Sequence, residues 1–301
     1  MEKIPTESPS PLQLDHIGVI VRDLDAGQRC WERMGFTLSQ RSPQMGLDAT
    51  KQHFEPWATA NHCAVFQRGY MELIGIHRHG LFNPWEAHLA RFEGPHIVAL
   101  RCDSADNVYP SIAQACDDFE PPVQRRRDAP YGNATREMRF RNIFSKDSQV
   151  PECRYIVIEH QTPDVLWQHE FPNSMVHANG ALALESITLC APPSSSLDRR
   201  LSALAAPEKV DAHGVTFDNG YRLEVSDAKG LVERFPGTTV RPDAALAACC
   251  VGVANLADTT RWLNRHDIAH VEAPGRTWVR PEFANGCIVE FVSQSRLEKP
   301  S

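Results

Sequence analysis

The chain has 301 residues, 42% of them hydrophobic and 23% charged, with a net charge of −7. That is a globular composition, long enough for two domains with their own cores. The acidic balance argues against a nucleic-acid partner, and the short Arg125-Arg126-Arg127 cluster is too isolated to reverse it. No apolar stretch approaches the length of a membrane span, so no membrane partner is expected.

Residues 1–11, MEKIPTESPSP, carry acids and prolines and no apolar core of a signal peptide. They read as a disordered lead-in. The nine cysteines show no CxxC spacing, and nine is an odd number. Reduced thiols in a cytoplasmic protein are the simplest reading, most of them acting as small core hydrophobes.

The first element is an alternating strand from Leu14 to Val21. A helix follows with Cys30, Trp31 and Met34 on its apolar face, and Gly35 stands where a helix ends. Two strand-like runs, NHCAVFQ and GYMELIGI, meet at the turn Arg68-Gly69. The pattern returns as HIVALRCDS, a helix from Ala105 to Cys116, REMRFRNIFS and CRYIVIEHQ. It returns again from ALALESITLCAP to YRLEVSD, and a fourth time from LAACCVGVANL to CIVEFVS. The fold class is therefore α+β: four βαβββ modules paired into two curved mixed-sheet half-barrel domains. The modules span 12–80 and 94–163 in an N-terminal pair (12–163), and 179–230 and 245–296 in a C-terminal pair (179–296). A linker runs over 164–178. The first two modules are longer, with inserts around 40–60 and 118–135 that are expected to line a site.

The repeats can be placed in register. His16 lies seven positions before Asp23, His96 seven before Asp103, Glu185 seven before Pro192 and Ala248 seven before Asn255. The closing strands align on Glu72, Glu159, Glu224 and Glu290. Side chains alternate faces along a strand, so His16, Glu72, His96 and Glu159 can converge in one cup. Imidazole and carboxylate together suit Zn, Fe, Mn, Ni or Co. Such a metal polarises a carbonyl, stabilises an enediolate or activates water or oxygen, and Glu72 or Glu159 can shuttle the proton. The C-terminal pair has no His in either slot, and reads as a non-metal, structural or capping half.

LDHIGVIVRDL, YMELIGI and the linker passage IEHQTPDVLWQ with HANGA after it resemble the vicinal oxygen chelate superfamily, in its glyoxalase-like branch. The resemblance covers about residues 12–295. It implies a divalent-metal enzyme that chelates vicinal oxygens of a small molecule. The glyoxalase I pattern implies ligands His16, Glu72, His96 and Glu159. The ring-cleaving dioxygenase pattern implies His16, His96 and Glu159. Family members pair modules within or between chains, so a homodimer is compatible with the resemblance, although four modules in one chain can complete a cup alone.

Three functions are open. The first is a metal-dependent lyase, isomerase or hydrolase on a small oxygenated molecule. The second is an Fe(II) ring-cleaving dioxygenase on a catechol-like compound. The third is a metal-free protein that sequesters a small aromatic ligand. His62 is either an acid–base group in the cup or a plain strand histidine. His160, next to Glu159, is expected on the opposite face, in an outer shell. Arg139 and Arg141 share a face that either holds an anionic substrate or is solvated. Trp57, Tyr131 and Trp167 form an aromatic wall or pack in the core, and His169 in the linker can cover the cup.

Overall fold

The computed structural model describes residues 12–50 and 52–294; the lead-in at 1–11 lies outside the described residues. The first module is β1 (Gln13–Val21), α1 (Leu24–Arg33), β2 (Ser42–Leu47), β3 (Phe54–Val65) and β4 (Tyr70–Ile76). A short helix, α2 (Glu86–Arg91), leads into β5 (Gly94–Arg101), α3 (Ala105–Ala115), β6 (Val123–Tyr131), β7 (Ala134–Phe144) and β8 (Arg154–His160). Two 3-10 turns, Pro163–Val165 and Pro172–Met175, cross to β9 (Ala181–Cys190), α4 (Ser195–Leu204), β10 (Val210–Asp211), β11 (Gly214–Thr216) and β12 (Arg222–Ser226). Then come α5 (Ala228–Arg234), β13 (Ala245–Val253), α6 (Leu256–Arg265), β14 (His270–Ala273), β15 (Arg276–Val279) and β16 (Ile288–Ser293).

Each half is one eight-stranded sheet, in the orders β2-β3-β4-β1-β5-β8-β7-β6 and β10-β11-β12-β9-β13-β16-β15-β14. The opening strands of paired modules run antiparallel at the centre, and each lies parallel to its own closing strand. The result is an α+β fold of two curved half-barrels built from four βαβββ modules. In the first sheet the outer strands nearly close a barrel, since Arg127 on β6 donates to Ser42 on β2.

Every crossover helix is capped by a side chain that accepts a first-turn N–H: Asp23, Ser104, Ser194 and Asn255. Each such cap contributes about 1 kcal/mol. The main core lies between the halves, where Ile17, Val19, Val98 and Tyr155 meet Leu184, Ile187, Val251 and Val289. Trp31, Ile112, Leu201 and Leu263 close it from the helices. A buried ion pair crosses the same boundary: Arg200 on α4 donates to Asp118 at 2.9 Å and to Glu152 at 2.8 Å. Among the described residues no helix is long and apolar enough to cross a membrane. All nine cysteines are free thiols, and all except Cys30 are buried.

The C-terminal cup is filled by its own chain. Leu231 from α5 and Phe235 just after it pack with Ala247, Ala248, Trp278 and Ile288. Beneath them Arg234 bonds Glu290 at 2.6 Å and also Glu224, while Arg276 reaches Glu290 at 2.8 Å. These two glutamates are spent on arginines inside a closed face.

Candidate functional site

The four modules share a structural register that differs from the sequence alignment at the second and third modules. Pairing passes from Leu14–Leu100 to His16–Ala99, leaving Asp15 as the extra residue of a bulge. It passes from Gly18–Ile97 to Val19–Pro95, leaving His96 as the extra residue. Glu185 and Ala247 are skipped in the same way in the second sheet. The residues immediately after the bulges are His16, Ile97, Ser186 and Ala248. They pair in parallel with Tyr70, Arg154, Arg222 and Ile288, and two residues further along stand Glu72, Ile156, Glu224 and Glu290. The second module's slots therefore hold Ile97 and Ile156. A slip by an odd number of residues moves every side chain to the other face; His96 lies one position before its slot and Glu159 three after its own, so both expected ligands leave the cup face.

His96 accordingly leaves the cup. Its Nε2 donates to the Phe92 carbonyl at 3.0 Å, and its ring stacks on Phe92 and meets His88 edge-on. Burial, reinforced by the charges of His88, Arg91 and Arg241, pushes its pKa down to about 3 against the pull of the Phe92 carbonyl. Glu159 faces the helix layer, where its Oε2 accepts the Ala105 N–H at 3.0 Å and caps α3. His160, expected in the outer shell, takes the inward direction and reaches Asp15 at 3.0 Å.

His16 and Glu72 do share the cup. Asp15, fully buried, accepts from His16 Nδ1 at 2.8 Å, and His16 Nε2 lies 3.8 Å from Glu72 Oε2. The His16 ring stacks on Tyr70, with centroids 4.2 Å apart. Asn61 on β3 donates to the other Glu72 oxygen. Asp15 also takes Arg101 at 2.8 Å. Burial works against its charge, but His160 and the hydrogen bonds from His16 and His160 outweigh burial and hold the carboxyl well below its ordinary range.

Glu72 opens into a cavity of about 620 Å³. Ile74, Ile97, Ile156 and Trp85 form its floor, Phe140 and Phe144 one wall. Gly18 makes room for that floor, because a Cβ there would lie 2.7 Å from the Ile97 side chain. Both inserts line the mouth: Gln44, Met45, Phe54 and Trp57 from one, Glu120 and Arg125 to Arg127 from the other.

The remaining expectations divide. His62 faces away from the cup, bonded to the Ser39 carbonyl at 2.8 Å and to Arg41, so it is not placed for chemistry there. Burial lowers its pKa. Arg139 and Arg141 lie on the outer face of β7, the first beside Glu137 and the second in a two-pronged pair with Asp106 on α3. The strand's inward residues are Met138 and Phe140. Tyr131 is buried under Arg136 and against Phe171, away from the large cavity. Trp167 seals one end of the cup, its Nε1 donating to the Phe66 carbonyl at 3.2 Å and its ring meeting Tyr70 and His160. His169 lines a separate cleft with Arg68 and Asn219.

The metal centre implied by the resemblance does not fit these residues. Two donors, His16 and Glu72, remain of the four expected, and two isoleucines stand where the others would be. Catalytic metal sites draw three protein ligands as a rule. Among the described residues one cluster has three close donor atoms, Cys116, Asp117 and Asp118. It lies outside the cup, and Asp118 is already bonded to Arg200.

A family model described as a glyoxalase-like domain matches residues 14–205. No curated protein sequence matches the chain. Among solved structures, a hypothetical protein from Staphylococcus aureus is 11% identical with a TM-score of 0.56, covering 94% of this chain and 99% of that one. A mutant of 4-hydroxymandelate synthase from Streptomyces coelicolor is 10% identical with a TM-score of 0.56, covering 97% of this chain and 95% of that one. At such identities the likeness is one of fold. Module order, paired sheets and family match together establish that the chain belongs to the glyoxalase-like domain family of the vicinal oxygen chelate superfamily.

Proposed function

We propose that this protein is an enzyme that binds a small oxygenated organic molecule in the N-terminal cup and moves a proton on it with Glu72. The observation that carries the reading is the buried line Asp15–His16–Glu72 opening into a roomy apolar cavity. Asp15 accepts the hydrogen bond from His16 Nδ1–H, which leaves His16 Nε2 facing the Glu72 carboxylate. Asn61 holds the other carboxylate oxygen. A C–H beside a carbonyl, resting on Glu72, gives its proton to the carboxylate and recovers one at the same or a neighbouring atom. This is isomerase chemistry carried by the chain's own residues.

A second reading keeps a divalent metal, with His16 and Glu72 as its protein ligands. The Asp15–His16 bond supports it, since a carboxylate behind the imidazole also steadies metal-bound histidines. Ring cleavage at a His–His–Glu iron centre has less support, because His96 and Glu159 point elsewhere.

The test incubates chelator-treated wild type and Glu72→Gln with a library of hydroxy and oxo compounds in D2O, read by mass spectrometry. The proposal expects conversion or deuterium uptake by the wild type alone. Activity only after metal is restored supports the second reading. Ligands bound but returned unchanged and unlabelled reject the enzyme reading in favour of sequestration.

A further inference from the structure

We propose that the N-terminal cup selects a monocarboxylic acid with an aromatic or similarly bulky apolar body, its carboxylate held at the mouth by Arg125 and Arg127. The inference rests on the proposed function of this cavity and names its substrate class.

Alternation on β6 turns Arg125 and Arg127 inward while Gln124 and Asp128 stay exposed. Both arginines line the cavity. Arg127 bonds only the neutral Ser42 hydroxyl, and the Arg125 guanidinium sits over the Phe144 ring at 5.6 Å. Neither has an ion-pair partner among the described residues. Their neighbours do: Arg154 pairs with Asp147, and Arg126 on the rim lies 3.6 Å from Glu137. In a chain of net charge −7, the cavity is lined by five cationic and three acidic side chains. Two same-face strand positions stand about 7 Å apart, close enough for one carboxylate to engage both guanidinium groups.

The rest of the cup defines the body attached to that carboxylate. Trp57 and Phe140 offer aromatic surface and Ile156 aliphatic surface, and about 620 Å³ is the size of a pocket for a small organic ligand. Glu72 at the floor repels a second anionic group. The ligand therefore carries its charge at the mouth and presents a neutral hydroxyl, carbonyl or C–H to Glu72.

The test titrates naphthalene-2-carboxylate, 2-naphthamide and 2-naphthylmethylammonium into the protein by calorimetry, with melting curves to confirm that each variant is folded. The carboxylate is expected to bind about tenfold or more tighter than the amide, with the cation weakest. Arg125→Gln with Arg127→Gln should erase that preference, bringing the carboxylate's affinity down to that of the amide. Ile156→Trp, which fills the floor, should abolish binding of carboxylate and amide alike, and Trp57→Ala at the rim should weaken both. A carboxylate that binds no better than the amide, or a preference that survives in the double variant, overturns the acid selectivity and leaves the cup a ligand site. No binding by any of the three, or binding unaffected by both Ile156→Trp and Trp57→Ala, overturns the assignment of the cup itself.

Discussion

Restoring the second module's slots should create a metal site that the natural sequence lacks. The change is Ile97→His with Ile156→Glu, which places a second His–Glu pair opposite His16 and Glu72. Ile97 is 1% exposed and Ile156 is 8% exposed, so both substitutions remove well-buried apolar groups. At about 1.5–3 kcal/mol for each buried side chain, the metal-free variant should lose about 3–6 kcal/mol. That corresponds to a fall in melting temperature on the order of 10 °C. A metal at one hundred times its Kd returns about 2.7 kcal/mol, visible as partial recovery of the melt. Calorimetric titration with Zn(II), together with the visible spectrum of Co(II), reads the site directly. The variant should bind one equivalent, and the wild type should bind far more weakly. Equal affinity in the two proteins would refute the register derived from the bulges, as would a folded variant that gains nothing.

Glu159→Ala should cost about 1 kcal/mol through loss of its hydrogen bond to the Ala105 N–H at the start of α3 and leave ligand binding in the cup unchanged, by denaturant melts and calorimetry; lost ligand affinity would return Glu159 to the site. Arg200→Ala strands Asp118 and Glu152 between the halves, a loss of about 3–5 kcal/mol for a broken buried pair; a change under 1 kcal/mol in denaturant melts would mean that water reaches that pair. His96 sets an acid limit. Its folded pKa of about 3 lies below the ordinary 6.5, so below pH 6.5 the unfolded chain takes up a proton that the folded chain refuses. Stability is fully present above that pH and falls as pH drops towards 3, by up to about 1.4 kcal/mol per pH unit from this group. Denaturant melts at pH 7 and 4.5 should show a shallower loss in His96→Leu than in wild type, and identical slopes would contradict the assignment.

The architecture is legible in the sequence because two periodicities repeat four times. Strand alternation, then helical spacing, then further strands mark each module. The first half of the site is legible for the same reason, since His16 and Glu72 sit in the expected slots. The second half is hidden by bulges, which insert a residue without leaving a mark in composition. In β5 and β8 the runs Ile97-Val98-Ala99-Leu100 and Tyr155-Ile156-Val157-Ile158 are apolar on both faces, so period-two reasoning has no polar residue by which to fix parity. Asp103 and Ser104 are both acceptable helix caps, and aligning on the first shifts the register by one. Asp15 gives no signal of its own because it adjoins His16, and only the bulge lets neighbours bond within one network. Arg125 and Arg127 look like part of an isolated basic run in the sequence; alternation alone sends two of the three arginines inward.

The central claim is that the working site is the N-terminal cup with two protein donors, Glu72 acting through its carboxylate. Elemental analysis of protein expressed in metal-supplemented medium and purified without chelator tests it most directly. The account predicts transition metal well below one equivalent per chain, unchanged in His16→Ala and Glu72→Ala. One equivalent of a divalent metal in the wild type, stripped by either substitution, would contradict it.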